Sequence, residues 1–122
     1  MAKHNDKGRW GEREAENLLV SKGYAIVERN WRMGPLEMDL IAMKDDRIVF
    51  VEVKTRADDD ADPIEAVTEK KIRNLVRAAH AYMNAMKEPF DPQFDLIGIT
   101  GNERNFRIEH IPDAFLPPVK FY

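Results

Sequence analysis

Three residues in two neighbouring segments have the types and spacing that could carry out chemistry. Asp39 lies in the segment LEMDLIAM, and Glu52 and Lys54 lie in the next segment, RIVFVEVKTR. Carboxylate oxygens are ligands that magnesium prefers, and a nearby ammonium group can contact a phosphate oxygen or the attacking water. A metal in such a site lowers the pKa of its bound water and neutralises developing charge. The three residues are therefore candidates for metal-assisted hydrolysis of a phosphodiester.

The two segments are predicted to form a β-hairpin, because the polar run Lys44-Asp45-Asp46 separates two apolar stretches. A turn centred on the two aspartates of that run sets a register in which Asp39 faces Glu52 and Glu37 faces Lys54. Two carboxylates placed opposite each other are destabilising unless they share a proton or bind a cation. A turn one residue longer or shorter would instead put Asp39 opposite a valine, so the prediction depends on the turn.

Alternation along each strand predicts which side chains share a face of the sheet. In the first strand of the hairpin, the two acidic residues point to one face. In the second strand, Glu52 and Lys54 share a face with Ile48 and Phe50. The remaining apolar side chains are predicted on the opposite face, and they are Met38, Leu40, Ala42, Val49, Val51 and Val53.

Two helices are predicted on either side of the hairpin in sequence. Residues 8–22 have apolar positions at helical spacing, and Gly23 follows as a C-terminal stop. The second helix is predicted to open at Pro63, with Asp62 as its N-cap, and to end before Pro89. The first helix precedes all the strands, whereas the second separates two groups of strands.

Three further segments complete the predicted sheet. They lie at residues 24–32, 94–100 and 106–111, and Gly101-Asn102 is predicted as the turn before the last strand. The resulting order is helix, three strands, helix and two strands. A helix that connects the third and fourth strands makes these two parallel if they are adjacent. The predicted fold class is therefore α/β with a mixed sheet, followed by an irregular tail over residues 112–122.

The composition narrows the class of protein. The 122 residues, 43% of them hydrophobic and 34% charged, predict a single globular domain over residues 1–122 with a core of about 8–111. Because there is no cysteine and the three histidines are scattered, a zinc site is not expected. The net charge of −3 argues against nucleic-acid binding by a bulk positive field. No apolar segment is long enough for a membrane span or signal, so a cytoplasmic protein without a membrane partner is expected.

The candidate residues also resemble a known pattern. An Asp such as Asp39 followed on the next strand by Glu52-Val53-Lys54 resembles the restriction-endonuclease-like, or PD-(D/E)xK, superfamily. A closer resemblance, from about Gly8 to Ile97, is to the YraN-like family of uncharacterised bacterial proteins. It is carried by the segments GRWGEREAENLLVSKGY, RNWR, EMDLIA and VFVEVKTR. The resemblance implies a restriction-endonuclease-like mixed sheet flanked by helices. It also implies a magnesium- or manganese-dependent endonuclease acting on DNA rather than RNA, with branched or damaged DNA among the expected substrates.

The resemblance implies roles for residues beyond this pattern. Similar Holliday-junction resolvases place a metal-site glutamate on the first helix, and Glu12 stands at that position, so the expected metal ligands are Asp39, Glu52 and Glu12. Lys71 resembles a lysine of the family's second helix. Because resolvase-like nucleases often pair two sites, a homodimer is also expected. The candidate substrate contacts are Lys71, Arg29, Arg32 and Glu37.

Simpler interpretations of the same residues stay open at the level of sequence. Glu52 and Lys54 could form a solvated strand face with surface ion pairs that contribute little. Glu12 is favoured in the first turn of a helix by the helix dipole alone. Because a fold does not prove an activity, the alternative function is a non-catalytic nucleic-acid-binding module of a repair or processing complex. A protein-interaction subunit is a third class.

Overall fold

The computed structural model describes residues 6–57, 63, 67–87 and 90–114. These residues form two helices and five strands in the predicted order: α1 (Asp6–Ser21), β1 (Ala25–Met33), β2 (Leu36–Lys44), β3 (Arg47–Arg56), α2 (Glu69–Asn84), β4 (Asp91–Asn102) and β5 (Asn105–Ile111). The strands form one sheet in the order β1-β2-β3-β4-β5. Strands β3 and β4 are parallel, and the other neighbours are antiparallel. The predicted α/β fold with a mixed sheet is confirmed.

The hairpin of β2 and β3 has the predicted register. Lys44 pairs with Arg47 across a two-residue turn, and the ladder continues to the pair of Leu40 and Val51. Asp45 in the turn has a φ of 56°, a left-handed conformation that aspartate tolerates better than most residues. The turn therefore brings the segments on either side of it into the arrangement that the sequence predicts.

The first helix ends where the sequence predicts. Gly23 has a φ of 93°, and the next backbone N–H, that of Tyr24, donates to the carbonyl oxygen of Leu19 at 3.0 Å. This pattern closes the last turn of a helix and favours glycine, which has no Cβ to strain the left-handed backbone. The chain then turns directly into β1.

The beginning of α1 lies unusually close to β3. A Cβ atom built on Gly11 would lie 2.5 Å from the hydroxyl oxygen of Thr55, so a larger residue at this position would have to displace that hydroxyl. The contact holds the first turns of α1, including the neighbouring Glu12, over the end of β3. The position of α1 over β3 therefore determines where Glu12, one of the candidate metal ligands, lies.

The second helix begins later than predicted. It starts at Glu69 rather than Pro63, because Thr68 is extended and its hydroxyl oxygen accepts a hydrogen bond from the backbone N–H of Lys71 at 3.1 Å. This side-chain cap satisfies a donor of the first turn that has no partner within the helix. The proposed cap Asp62 lies outside the described residues. The predicted opening of the helix at Pro63 is wrong, since Thr68 interrupts it.

Each face of the sheet is covered by one helix. The α1 side contains Leu40, Ala42, Val49 and Val51, and the α2 side contains Ile41, Ile48 and Phe50. One predicted face is wrong: Met38 packs on the α2 side rather than with Leu40 and Ala42. The alternation in β2 therefore breaks at Asp39. On the neighbouring strand the opposite position is Asn30, whose φ of 52° is also irregular for a strand.

The last two strands join at a turn two residues later than predicted. Gly101 and Asn102 belong to β4, and Asn102 pairs with Asn105 across Glu103 and Arg104. The amide oxygen of Asn102 accepts hydrogen bonds from the backbone N–H groups of Arg104 and Asn105 at 2.9 and 3.1 Å. The side chain of Asn102 thus stabilises the turn that follows it. Within the described part of the chain, neither helix has the length and apolar character needed to cross a membrane.

Candidate active site

The centre of the candidate site is a pair of carboxyl groups on adjacent strands. Asp39 lies on β2 and Glu52 on β3, each one residue beyond the last ladder pair, that of Leu40 and Val51. Beyond that pair, a side-chain oxygen of Asp39 accepts the backbone N–H of Val53 at 2.8 Å. The carboxyl groups of Asp39 and Glu52 are in hydrogen-bond contact with each other. The structure therefore brings together two of the three predicted catalytic residues.

The surroundings of this pair favour a shared proton. Glu52 is buried, with 6% of its surface exposed, and Asp39 is half-buried. Burial, followed by the negative charge of Asp39, raises the pKa of Glu52 to about 8. Burial also raises the pKa of Asp39, and the hydrogen bond from Val53 opposes that shift only in part. At neutral pH the pair therefore holds one proton, which the two carboxyl groups share.

The ammonium group that contacts the acid pair comes from α2. Lys71 Nζ lies 3.4 Å from a carboxyl oxygen of Glu52. Its position follows from the helix cap, since Thr68 holds the backbone N–H of Lys71 in the first turn of α2. The charge of Lys71 lowers the pKa of both acids, although burial outweighs it. The predicted substrate contact Lys71 is therefore placed directly beside the acid pair.

The predicted third ligand, Glu12, lies on α1 near the same pair. Its pKa is raised by burial and then by the negative charge of Asp39, while a hydrogen bond with Asn30 lowers it. Sequence reasoning missed Asn30, which combines this contact with a left-handed backbone at the point opposite Asp39. Such strained positions often accompany functional sites, and asparagine is a residue that tolerates them. The only sequence signal was an asparagine inside an otherwise strand-like segment.

Lys54 occupies a different position from the one predicted. The ladder between the described parts of β2 and β3 does not include the predicted pair of Glu37 and Lys54, because it ends earlier, at Leu40 and Val51. Lys54 instead lines a cavity that it shares with Glu12. Lys54 therefore lies two residues beyond Glu52 on the wall of a neighbouring cavity, and the ammonium in contact with Glu52 is that of Lys71.

The remaining candidates form ion pairs at the surface. Arg29 donates two hydrogen bonds to the carboxylate of Glu16, at 2.9 and 2.6 Å. Arg32 lies 3.7 Å from Glu37, its cross-strand partner on β2. The charge of Glu37 also contributes to the raised pKa values of Asp39 and Glu12. The two arginines are thus beside the site but already engaged with carboxylates, as exposed ion pairs commonly are.

The donor set of this site suits magnesium or manganese. Two oxygen ligands from rigid strands match magnesium, which commonly takes one or two carboxylates and keeps several waters. Among the described residues, no three acidic, histidine or cysteine side chains come together as a complete metal cage. Asp39 and Glu52 would therefore be the protein ligands, with Glu12 near enough to act through charge. A divalent cation would also replace the proton that the two acids share.

A second buried acid lies elsewhere in the sheet, and sequence reasoning missed it. Asp95 on β4 is 1% exposed and accepts four hydrogen bonds. The donors are the Tyr24 hydroxyl at 3.1 Å, the Gln93 amide at 2.9 Å, the His110 ring at 2.8 Å and the Asp113 backbone N–H at 2.9 Å. Burial opposes ionisation, but the hydrogen bonds, led by that from His110, hold the pKa of Asp95 below its usual range. This acid is therefore a satisfied structural group.

The fold and site together define a small α/β domain with a paired-carboxylate centre at the end of a β-hairpin. Residues 11–99 match the uncharacterised protein family UPF0102. The chain is 47% identical to a UPF0102 protein of Bacteroides thetaiotaomicron over 120 residues, covering 98% of this chain and 99% of the relative. A UPF0102 protein of Flavobacterium psychrophilum is 40% identical over 116 residues, covering 94% and 98%. The chain belongs to the UPF0102 family, in agreement with the resemblance found in its sequence.

Proposed function

We propose that this protein is a metal-dependent nuclease that hydrolyses phosphodiester bonds in DNA, with branched or damaged DNA among its substrates. One observation carries the proposal: Asp39 and Glu52 bring two carboxyl groups into contact inside a sheet, with a lysine ammonium beside them. Such crowding raises the pKa of a carboxyl group and is frequent at functional sites. The resemblance to the restriction-endonuclease-like superfamily supports the same chemistry.

The protein's own groups have distinct roles in this proposal. Asp39 and Glu52 would hold the cation, and the hydrogen bond from Val53 keeps the Asp39 carboxylate in place. Lys71, held at the first turn of α2, presents an ammonium to a phosphate oxygen that approaches the pair. A bound magnesium or manganese ion would supply Lewis-acid activation of water and stabilisation of charge on the phosphate.

Lys54 and Glu12 support the reaction from the neighbouring cavity. Lys54 lies two residues beyond Glu52, about 6.5–7 Å along an extended strand. Because Lys54 lines this cavity, its ammonium can contact a second phosphate of the substrate. Glu12 adds negative charge near Asp39, which strengthens the attraction for a divalent cation.

The test is a cleavage assay with purified protein. Single-stranded, duplex, flapped and four-way DNA are incubated with magnesium, with manganese or with a chelator. We expect metal-dependent cleavage that falls by at least about a hundredfold in Asp39→Asn and Glu52→Gln, since each removes charge from the reacting centre. The matched controls are Asp46→Asn, in the exposed hairpin turn, and Glu109→Gln, on the exposed face of β5. Both should cleave like the wild type.

Two results would overturn the proposal. The first is the absence of cleavage of any substrate under all metal conditions, with DNA binding that needs no metal, which would favour the non-catalytic module. The second is cleavage that survives in both acid variants, because the activity would then belong to another site or to a contaminant. A loss of activity in the two controls would show that the effect is not specific to the acid pair.

A further inference from the structure

A cavity of about 480 Å³ lies near the acid pair, since its wall includes Val53, whose backbone N–H donates to Asp39, and Glu12, whose pKa the charge of Asp39 raises. It lies between the start of α1, the end of β3 and the end of β4, and its wall includes Trp10, Glu12, Lys54, Arg56 and Asn102. The volume falls within the roughly 300–1,000 Å³ of pockets that hold small ligands. The cavity thus has the size of a binding pocket rather than of a packing defect.

The place of this cavity in the fold favours ligand binding. Strands β3 and β4 are parallel, and Arg56 pairs with Thr100 near their shared carboxyl ends, where the cavity opens. In open α/β sheets, ligands bind in crevices outside the carboxyl ends of the strands. Two residues without long side chains, Ala57 and Gly101, also line the cavity and leave its volume open.

The wall combines the groups that recognise one nucleotide. Trp10 is largely buried, with 7% of its surface exposed; it contributes part of its indole to the wall and packs against Phe106, with ring centroids 5.3 Å apart. Lys54 and Arg56 place two positive charges on the wall, which suits a phosphate on either side of a nucleoside. An aromatic surface beside basic side chains is a common arrangement for binding unpaired bases.

We propose that this cavity holds a single unpaired nucleotide of the DNA substrate, next to the phosphate at the acid pair. The inference rests on the proposed function and adds to it the class of substrate, namely DNA with a single-stranded segment at the site. A base can enter the cavity only when it is out of the stack, because inside a duplex both of its faces are covered by neighbouring base pairs. The base must therefore be unpaired or turned out of the helix, at a cost that is smallest in single strands and at junctions.

The test measures binding rather than cleavage, so that it does not depend on the nuclease activity. Fluorescence anisotropy with a chelator present compares a blunt duplex, the same duplex with a short single-stranded tail, and a tailed duplex whose tail contains abasic sites. We expect the wild type to bind the tailed DNA about tenfold more tightly than the blunt duplex, as one stacked base would provide. The abasic tail keeps every phosphate but should lose the preference.

A pair of variants locates the effect in the cavity. Ala57→Phe places a ring at the exposed mouth of the cavity, and we expect it to reduce the affinity for the tailed DNA to that for the blunt duplex. Ala25→Phe makes the same change at an exposed position of β1 outside the cavity wall, and should keep the preference. Equal binding of tailed and blunt DNA by the wild type, or an undiminished preference for the abasic tail, would overturn the inference. Tail preference without any cleavage would overturn the proposed function alone.

Discussion

Two sites in the same sheet bury carboxyl groups, and they differ in what surrounds them. Asp95 is enclosed by four hydrogen-bond donors, which hold its pKa below the usual range despite burial. Asp39 and Glu52 instead face each other, and burial together with mutual repulsion raises the pKa of Glu52 to about 8. The first site is complete without any ligand. The second holds a proton that a divalent cation would replace.

Asp95 is a buried acid that stabilises the fold, whereas Asp39 and Glu52 have the surroundings of a functional site. Lys22 donates to one ring nitrogen of His110, so the other nitrogen carries the proton that is donated to Asp95. Each polar atom of that network has a partner, as expected of a group that stabilises the fold. The acid pair has one ammonium, that of Lys71, for two carboxyl groups. We therefore expect mutations at the two sites to have opposite effects on stability.

The largest expected effect on stability is at the satisfied site. Asp95→Ala leaves four donors without their acceptor inside the protein, and we expect the free energy of unfolding to fall by about 3–5 kcal/mol at neutral pH. Urea unfolding followed by circular dichroism measures this change. Asp91→Ala, on an exposed position of the same strand, should change stability by less than about 0.5 kcal/mol. A loss below about 1 kcal/mol for Asp95→Ala would show that the Asp95 network does not stabilise the fold more than the acid pair does.

Replacing a carboxyl group of the acid pair should raise the free energy of unfolding rather than lower it. Because the folded-state pKa of Glu52 is raised to about 8, its contribution to stability is complete below the ordinary pKa of 4.5 and is lost as the pH rises through about 8. In metal-free buffer, Glu52→Gln should therefore be more stable than the wild type above pH 8, by about 1–4 kcal/mol, and similar to it near pH 5. Urea unfolding at the two pH values tests this. Glu52→Gln that is less stable at high pH would contradict the account.

The smallest expected effect concerns the helix cap that positions Lys71. Thr68→Ala removes the hydroxyl that accepts the backbone N–H of Lys71, and we expect a loss of about 1 kcal/mol in the free energy of unfolding. Thr68→Ser keeps the hydroxyl and should retain most of the stability. If alanine and serine at this position behave alike, the cap does not hold the first turn of α2, and the placement of Lys71 needs another cause.

The local patterns of the sequence were sufficient to predict the sheet and the hairpin. The two aspartates of the turn at residues 44–46 set the register of β2 and β3, and this register carried Asp39 and Glu52 to the same end of the hairpin. Gly23 marked the end of α1 through its left-handed backbone. These features depend on a few neighbouring residues, so their effects can be recognised without knowledge of the whole fold.

The parts that sequence reasoning missed depend on contacts between distant segments. Asp95 sits in an apolar strand segment, and its donors are Tyr24 just before β1, Gln93 on β4, His110 on β5 and Asp113 beyond β5, so nothing local marks it as satisfied. Asn30 reverses the alternation opposite Asp39 through a backbone conformation that a strand pattern does not reveal. Lys71 is predicted as a substrate contact, but its contact with Glu52 is not, and α2 starts at Glu69, several residues after the predicted start.

At neutral pH the acid pair holds a proton that a divalent cation is expected to replace. Calorimetric titration of the protein with manganese at neutral pH, repeated in buffers of different ionisation enthalpy, measures the affinity and the protons released together. We expect the wild type to release about one proton per bound cation, since its ligands must lose their shared proton. Glu52→Gln should bind more weakly and release none. Absence of manganese binding, or binding without proton release that is unchanged in Asp39→Asn and Glu52→Gln, would contradict the account.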